Sequence, residues 1–318
     1  MLASWRGRAV VLAALGAIIF AAGTRAGSSQ KQPNAQSIAA DASVVTDGAG
    51  RQVTIPAQVN RIVTLAPNLT ETVYALGLGD KLVGDTNECD TPAAAKLKQH
   101  VGDVVDPSLE AIVALRPDLV LATTSINRPE TVDALARLGI PVYTSDAQSV
   151  LQMLDSVQQI ADIAGAHRQG AQLVAQLRQR LDAVHARLAD RPVQHVLFVI
   201  WDDPLITIGQ NTFIEDALRW AGAESVVLSQ QKWPQLSMEE VLRLQPDYVL
   251  YAAHNQNSPQ TLEDLRARPV WRDLDAVEAG HVLNVSEEAL RPAPGLVGVI
   301  EELARELHPD AFRDKTGI

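Results

Sequence analysis

Short apolar runs alternate with amphipathic stretches along the first half of the chain. The runs at 61–67, 81–86 and 140–146 predict buried strands, and stretches with a helical apolar period lie between them. Ahead of them, two alternating runs flank an Asp-Gly-Ala-Gly turn at 47–50 and predict a hairpin. Strands that alternate with helices at this spacing form parallel sheets. Residues 44–146 are therefore predicted to form an N-terminal α/β lobe.

The middle of the chain has a different pattern. Residues 147–190 contain few helix breakers other than Gly165 and Gly170, and their apolar positions follow a helical period. They predict a connecting segment that is either a helix pair or one interrupted helix of roughly 40 residues, on the order of 60 Å long if continuous. A connection of that length would bridge two lobes stiffly.

A second α/β pattern fills residues 191–318. VLFVIW at 196–201 predicts a strand, the stretch after it predicts a helix that ends at Gly222, and GLVGVIEELARELHP at 295–309 predicts a closing helix. The chain is thus predicted to have the order lobe, helical connection, lobe.

One helix-to-strand unit is present twice. SLEAIVALRPDLVL begins at Ser108 and SMEEVLRLQPDYVL at Ser237, and seven of the fourteen aligned residues are identical, including the glutamates Glu110 and Glu239. Chance similarity between two helix-to-strand segments remains an alternative. Because one copy falls in each predicted lobe, the repeat favours two related halves.

The N-terminal 26 residues have the pattern of an export signal. Arg6 and Arg8 precede an apolar run at 9–22 and a zone of small residues, so 1–26 is predicted to be a signal peptide or an N-terminal anchor. Residues 27–43 are polar and small and predict a flexible tether.

Charge and cysteine content exclude several classes of partner and linkage. Three of the 27 basic residues lie in the leader, so the remaining chain has 24 basic and 38 acidic residues, a net charge near −14. This balance argues against nucleic acid or an anionic membrane surface as a partner. Cys89 is the one cysteine, so no internal disulfide is possible, and it lies far from the leader, where a lipoprotein carries its lipid attachment cysteine.

Seven segments within residues 44–309 resemble one family of proteins. They are RIVTLAPNLTETVYALG, ECDTPAAA, SLEAIVALRPDLVLA, LGIPVYTSD, DDPLITIGQNTFIEDALRWAGAESV, WPQLSMEEVLRLQPDYVL and LRPAPGLVGVIEELARELHP. In this order they resemble the helical-backbone, or class III, solute-binding proteins of ABC importers, which receive cobalamin, ferric siderophores or haem. WPQLSMEEVL and the Cys-Asp-x-Pro element are most similar to the cobalamin receptors of that class.

The resemblance implies two Rossmann-like α/β lobes joined by a long rigid backbone helix, with a ligand cleft between the lobes and little hinge motion. In this family one surface glutamate from each lobe docks onto arginines of the permease, and Glu110 and Glu239 match those positions. A two-fold permease dimer offers two equivalent basic pockets for two such carboxylates. Helix capping remains an alternative role, because Ser108 and Ser237 are candidate N-caps and a first-turn glutamate is favoured by the helix dipole.

The ligand site is predicted where strands end, because ligands of open α/β sheets bind beyond the carboxyl ends of the strands. The resemblance adds Trp233, which matches an aromatic residue of the cobalamin cleft. Tryptophan faces with a few hydrogen-bonding groups suit a broad corrin or porphyrin ring. The candidate ligand-binding residues are Pro67, Asn68, Leu69, Glu88, Cys89, Ser125, Trp201, Asp202, Trp233, Tyr251, His254 and Arg291.

Several of these candidates have structural alternatives. Trp201 ends a strand and also suits a core position, Asn68 also suits a helix cap, and Cys89 also suits a small buried hydrophobe. Arg291 also suits a surface pair with Glu287. The cobalamin receptors usually have a tyrosine beside the Cys-Asp element, where this chain has Glu88, a difference that weakens a corrin contact or accommodates another ligand.

Other functions are less well supported. The seven histidines are scattered without a ligand spacing, so no metal site is expected. Haem requires an axial ligand, for which Tyr143, Tyr251 and His254 are available. No nucleophile elbow, phosphate-binding glycine loop or HExxH element is present, so an exported enzyme is disfavoured.

The sequence therefore predicts a periplasmic receptor that captures cobalamin and delivers it to an ABC importer permease dimer. A ferric siderophore or haem receptor of the same fold is the alternative. The receptor is expected to be a monomer without an intrinsic cofactor.

Overall fold

The computed structural model describes residues 42–252 and 262–313, and it begins with the predicted hairpin. Strand β1 (Ser43–Thr46) pairs antiparallel with β2 (Gln52–Ile55). In the turn, the Asp47 carboxylate accepts hydrogen bonds from the backbone of Arg51 at 2.8 Å and from its guanidinium at 2.6 Å. The leader at 1–26 and nearly all of the tether at 27–43 lie outside the described residues.

The N-terminal lobe is a five-stranded parallel sheet, in the order β5-β4-β3-β6-β7. Its central strands, Ile62–Thr64 and Leu119–Thr123, are fully buried because both faces of such a sheet are covered. The strands are β3 (Ile62–Thr64), β4 (Leu82–Asp85), β5 (Gln99–His100), β6 (Leu119–Thr123) and β7 (Val142–Ser145), and the helices are α1 (Pro67–Ala75), α2 (Leu109–Ala114) and α3 (Pro129–Arg137).

Two helices connect the lobes, α4 (Val150–Ile163) and α5 (His167–Leu188). The chain turns between them at Gly165, whose φ of 76° is in the left-handed region that glycine adopts without strain. The helices approach closely where Gly170 faces Ala161, since a Cβ added at Gly170 would lie 2.4 Å from the Ala161 Cβ. The connection is therefore a packed helix pair and not one continuous rod, and α5 alone is about 33 Å long.

The C-terminal lobe repeats the architecture. Its parallel sheet has the order β10-β8-β11-β12, and β9 pairs antiparallel with β8. The strands are β8 (Gln194–Trp201), β9 (Ile206–Thr207), β10 (Ala223–Ser225), β11 (Tyr248–Ala252) and β12 (Val282–Val285). The helices are α6 (Phe213–Trp220), α7 (Met238–Leu244), α8 (Leu262–Ala267), α9 (Asp275–Ala279), α10 (Leu296–Leu307) and α11 (Pro309–Phe312). Among the described helices, none combines the length and the apolar content that a bilayer span requires.

One apolar core runs through both lobes and the helix pair. It includes Leu69 of α1, Leu154 of α4, Leu181 of α5, Phe198 of β8 and Ile300 of α10. Each lobe also has a smaller core of its own. Because moving the lobes apart would expose the shared core to water, this packing opposes a large hinge motion.

The repeated unit begins in the same way in both lobes. Ser108 caps α2 by accepting a hydrogen bond from the Ala111 N–H, and Ser237 caps α7 by accepting one from the Glu240 N–H. Strand β6 after α2 pairs with β3, the first strand of its sheet in the chain, and β11 after α7 pairs with β8, its counterpart. The two copies thus occupy equivalent places.

The corner inside each copy is also alike. Arg116 and Gln245 both have positive φ, 46° and 40°, directly before a proline. The aspartate that follows each proline is hydrogen-bonded to the backbone at or next to the start of the neighbouring strand. The Asp118 carboxylate accepts a hydrogen bond from the Arg61 N–H at 2.9 Å, and the Asp247 carboxylate accepts one from the His195 N–H at 2.8 Å. These matching details confirm that the repeat is structural.

Candidate ligand-binding cleft

A cavity of about 600 Å³ lies between the two lobes, and we call it the inter-lobe cavity. Its wall is mostly apolar and is formed at the carboxyl ends of β3, β6, β7 and β8, where parallel sheets present their ligand sites. The lining residues are Pro67, Asn68, Ser125 and Ile126 of the N-terminal lobe, Ala147 and Gln148 before α4, and Ile200, Trp201, Ile206, Thr212, Phe213, Ile214, Lys232, Trp233, Leu290, Arg291 and Pro292 of the C-terminal lobe.

Two tryptophans present exposed rings to the inter-lobe cavity. Trp201, the last residue of β8, is 39% exposed, and Trp233 is 48% exposed. The indole N–H of Trp201 donates to the Asp203 carbonyl at 2.9 Å, which orients the ring. Tryptophan is usually well buried, so two uncovered rings in one cavity provide apolar surface for a ligand.

Arg291 lies in the cavity wall and joins the two lobes. Its guanidinium donates to the Glu71 carboxylate of α1 at 2.9 Å, and Glu287 and Asp90 lie 3.7 Å and 3.8 Å from it. Burial raises the pKa of Glu71, and the hydrogen bond from Arg291 opposes that rise. Arg291 therefore faces the cavity and also pairs with Glu287. Sequence reasoning missed Glu71, because the helical pattern of 68–75 contains no signal for a partner in the other lobe.

Lys232 makes a second link across the cavity. Its ammonium donates to the side-chain carbonyl of Gln148, just before α4, at 2.8 Å. The cavity thus has one cation paired with a neutral amide and another surrounded by carboxylates.

Asn68 and Ser125 add small polar groups to the wall. The N-cap of α1 is Ala66, and Asn68 lies inside the helix, so Asn68 does not cap it. Asn68 is largely buried and lines the cavity, where its side-chain amide adds a polar group to the wall. The Ser125 hydroxyl is 2.9 Å from that of Thr123, the last residue of β6.

Three predicted ligand-binding residues are buried away from the inter-lobe cavity. Leu69 is part of the shared core. Cys89 is 1% exposed, its sulfur accepts a hydrogen bond from the Thr70 hydroxyl at 3.1 Å, and burial raises its pKa. Tyr251 packs in the C-terminal core, 5.7 Å from the Trp271 ring, and burial raises its pKa strongly. Strand ends were the basis of these assignments, but packing turns these side chains inward.

Two further candidates, Asp202 and Glu88, do not line the cavity either. Asp202 forms an ion pair with Arg268 of the adjacent segment, so it anchors the loop after Trp201. Glu88 is exposed and is not in the cavity wall. His254 lies outside the described residues.

The two repeated glutamates are exposed in the first turns of α2 and α7. Glu110 accepts a weak hydrogen bond from Ser108 at 3.3 Å. In the second copy Glu240 completes the capping box, with its carboxylate 2.9 Å from the Ser237 backbone nitrogen. Glu239 has no hydrogen-bond or ion-pair partner among residues 42–252 and 262–313, so helix capping does not occupy its carboxylate.

Metal-ligating side chains do not converge in the described ranges. No group of three His, Cys, Asp or Glu side chains there is arranged to hold a metal ion.

The model of the periplasmic binding protein family matches residues 62–289, well over half of the chain. That range includes the strands of both lobes and the helix pair. The chain belongs to the periplasmic binding protein family. The family and the structural neighbours are binding proteins.

Individual relatives cover most of the chain. The uncharacterized ABC transporter substrate-binding lipoprotein YvrC of Bacillus subtilis is 32% identical over 284 residues, which are 85% of this chain and 87% of YvrC. The crystal structure of the periplasmic vitamin B12 binding protein BtuF of Vibrio cholerae matches with a TM-score of 0.71 and 26% identity, over 80% of this chain and 99% of BtuF. A periplasmic heme binding protein from Pseudomonas aeruginosa matches with a TM-score of 0.70 and 26% identity, over 79% and 93%. These matches confirm the two-lobed α/β fold.

Proposed function

We propose that this protein is the substrate-binding component of an ABC importer and that it captures cobalamin in the inter-lobe cavity. The observation that carries the proposal is the pair of exposed tryptophans, Trp201 and Trp233, in an apolar cavity with few polar groups. A corrin ring is broad, apolar on its faces and hydrogen-bonding at its rim. Indole rings suit its faces, and Asn68, Ser125 and Arg291 suit its rim.

The comparisons support the transport role. YvrC is named as an ABC transporter substrate-binding lipoprotein and BtuF as a vitamin B12 binding protein. Substrate-binding proteins of this kind work outside the cytoplasm, which agrees with the predicted export signal at 1–26. We therefore propose a periplasmic location.

Haem is the second candidate, because the Pseudomonas aeruginosa neighbour binds it. A haem iron needs an axial ligand from the protein. The cavity lining in the described ranges contains no His, Tyr, Cys or Met side chain. Tyr251 is buried in the C-terminal core, and the hydroxyl of Tyr143 is bonded to Gln159 at 2.5 Å. Among the described residues this chemistry favours cobalamin over haem, and His254, the third axial candidate, lies outside them.

Glu110 and Glu239 are the proposed permease contacts. Glu110 lies in the N-terminal lobe and Glu239 in the C-terminal lobe, at equivalent positions of the repeated unit. The pair can therefore meet two equivalent basic pockets of a permease dimer. Such charge pairs set register and association rate more than affinity.

The test of ligand identity is isothermal titration of the full-length exported protein with cyanocobalamin, haem and a ferric hydroxamate. We expect heat with cyanocobalamin, and a loss of roughly tenfold or more in affinity for each of Trp201→Ala and Trp233→Ala, because each removes a stacking face. Trp220→Ala, a change on helix α6 outside the cavity wall, is the control and should bind as the unaltered protein does. Heat with the iron chelates alone would reject cobalamin.

A further inference from the structure

Arg291 has more carboxylates around it than its single positive charge can neutralise. Glu71 and Asp90 approach it from the N-terminal lobe and Glu287 from its own segment, at 2.9, 3.8 and 3.7 Å. Three carboxylates therefore surround one guanidinium in the wall of the inter-lobe cavity. The Glu71 side chain is only 9% exposed, so water and salt screen its charge weakly.

This arrangement changes what Arg291 can bind. A guanidinium has five N–H donors, and Glu71 occupies one arm while other donors remain for a ligand. Those donors suit a neutral acceptor such as an amide carbonyl. A ligand carboxylate at the same place would meet the excess of negative charge. Lys232, a second cation of the described wall, is hydrogen-bonded instead to the neutral amide of Gln148.

We propose that Glu71 is a specificity-determining residue that acts through Arg291: with Asp90 and Glu287 it makes this end of the cavity accept neutral amide groups and reject carboxylates. The inference rests on the proposed function, because it assumes that the inter-lobe cavity is the ligand site. It assigns a ligand class with an uncharged, amide-bearing rim. The ion pair between Glu71 and Arg291 also has a structural role, because the two residues are 220 positions apart and connect the two lobes.

The experiment uses two pairs of ligands, each with one member that carries more ionised carboxylates than the other. One pair is cyanocobalamin and its monocarboxylic acid, in which one side-chain amide is hydrolysed, and the other is haem and its dimethyl ester. Affinities are measured by titration for the unaltered full-length protein, for Glu71→Gln and for Glu224→Gln. Glu224 is an exposed residue of β10 and lies opposite His195 in the sheet, at the other end of β8 from Trp201. Glu224→Gln therefore removes the same charge as Glu71→Gln, but far from the cavity.

We expect the unaltered protein to prefer the uncharged member of whichever pair binds. Glu71→Gln keeps an oxygen for Arg291 but removes the charge, so the affinity for the charged member relative to the uncharged one should rise roughly tenfold. Glu224→Gln should leave that ratio unchanged. The double variant Asp90→Asn/Glu287→Gln should shift the ratio in the same direction with the Glu71–Arg291 bond intact. It provides the test if thermal unfolding shows that Glu71→Gln is not folded.

Two of the three outcomes separate this inference from the proposed function. If cobalamin binds and neither Glu71→Gln nor the double variant changes the ratio, the charge selection is overturned and the receptor assignment stands. If only the haem pair binds, with the ester preferred and the preference lost in Glu71→Gln, cobalamin is rejected and the charge selection stands. Failure of both pairs to bind would overturn both.

Discussion

Asp85 closes strand β4 with a carboxylate that has no exposed surface. One oxygen is 2.9 Å from His100 Nδ1, and the other has no hydrogen-bond partner in the described residues. Burial raises the Asp85 pKa from 3.8 to about 6, against the opposing hydrogen bond from His100. The folded state thus holds this proton more firmly than the unfolded chain does.

The sign of the effect on stability follows from that difference. Because the folded pKa is the higher one, the contribution of Asp85 to the free energy of unfolding is greatest below pH 4 and is lost as the pH rises to about 6. The loss is of the order of 2 to 3 kcal/mol. Asp85→Asn removes the titration, so its stability should fall less between pH 4 and pH 7 than that of the unaltered protein. Urea unfolding across this range measures the difference.

The control for this prediction is Asp182→Asn, at an exposed position of α5, which should keep the pH dependence of the unaltered protein. Parallel stability curves for Asp85→Asn and the unaltered protein between pH 4 and pH 7 would contradict it.

Trp201 and Tyr251 show what residue-level reasoning predicts about the site. Both residues are predicted to bind the ligand because ligands bind at the carboxyl ends of parallel strands. Their strands, β8 and β11, are neighbours in one sheet. Trp201 faces the inter-lobe cavity, while Tyr251 packs against Trp271 in the core. The rule identifies an edge of the sheet, but successive side chains of a strand point to opposite faces and packing decides which face is covered.

At the scale of elements, the contact between α4 and α5 decides how the lobes are connected. Their apolar periods are local and predict helices, whereas the turn at Gly165 and the close contact of Gly170 with Ala161 show that the helices fold back on each other. Glycine in a helix normally costs about 1 kcal/mol relative to alanine. It is favourable here because a methyl group would lie 2.4 Å from the Ala161 Cβ.

Gly170→Ala is therefore expected to lower the free energy of unfolding by about 1 to 3 kcal/mol, despite the better helix propensity of alanine. Gly298→Ala in α10 is the matched control, since its added Cβ would meet nothing closer than Arg180 at 3.7 Å. It should stabilise the protein by up to about 1 kcal/mol. Denaturant unfolding of the two variants checks the opposite signs, and equal effects would show that the helix contact does not limit this position.

At the scale of the whole molecule, the two related lobes each present an exposed glutamate at the same position of the repeated unit, Glu110 and Glu239. Replacing Glu110 and Glu239 together by alanine should leave ligand affinity unchanged and reduce uptake by the cognate permease roughly tenfold, because the change removes charge from the docking surface and not from the cavity. Titration measures the first quantity and transport into proteoliposomes the second.

Glu130→Ala is the control, because Glu130 is also an acidic residue in the first turn of a helix, α3. It loses the same favourable interaction with the helix dipole. If the double variant transports as well as Glu130→Ala does, the repeated glutamates act on their helices alone and the docking proposal fails.

The parallel α/β lobes, the hairpin and the duplicated unit were predictable from the amino-acid sequence, because they depend on local information: apolar period, serine caps, a proline corner and the aspartate after it. Which strand-end residues face the inter-lobe cavity and which are covered depends on how the elements pack in three dimensions. The tertiary structure also decided that the connecting helices pack as a pair and that Glu71 meets Arg291. These are contacts between side chains far apart in the chain, and no periodicity records them, because each partner satisfies its own local pattern equally well without the other.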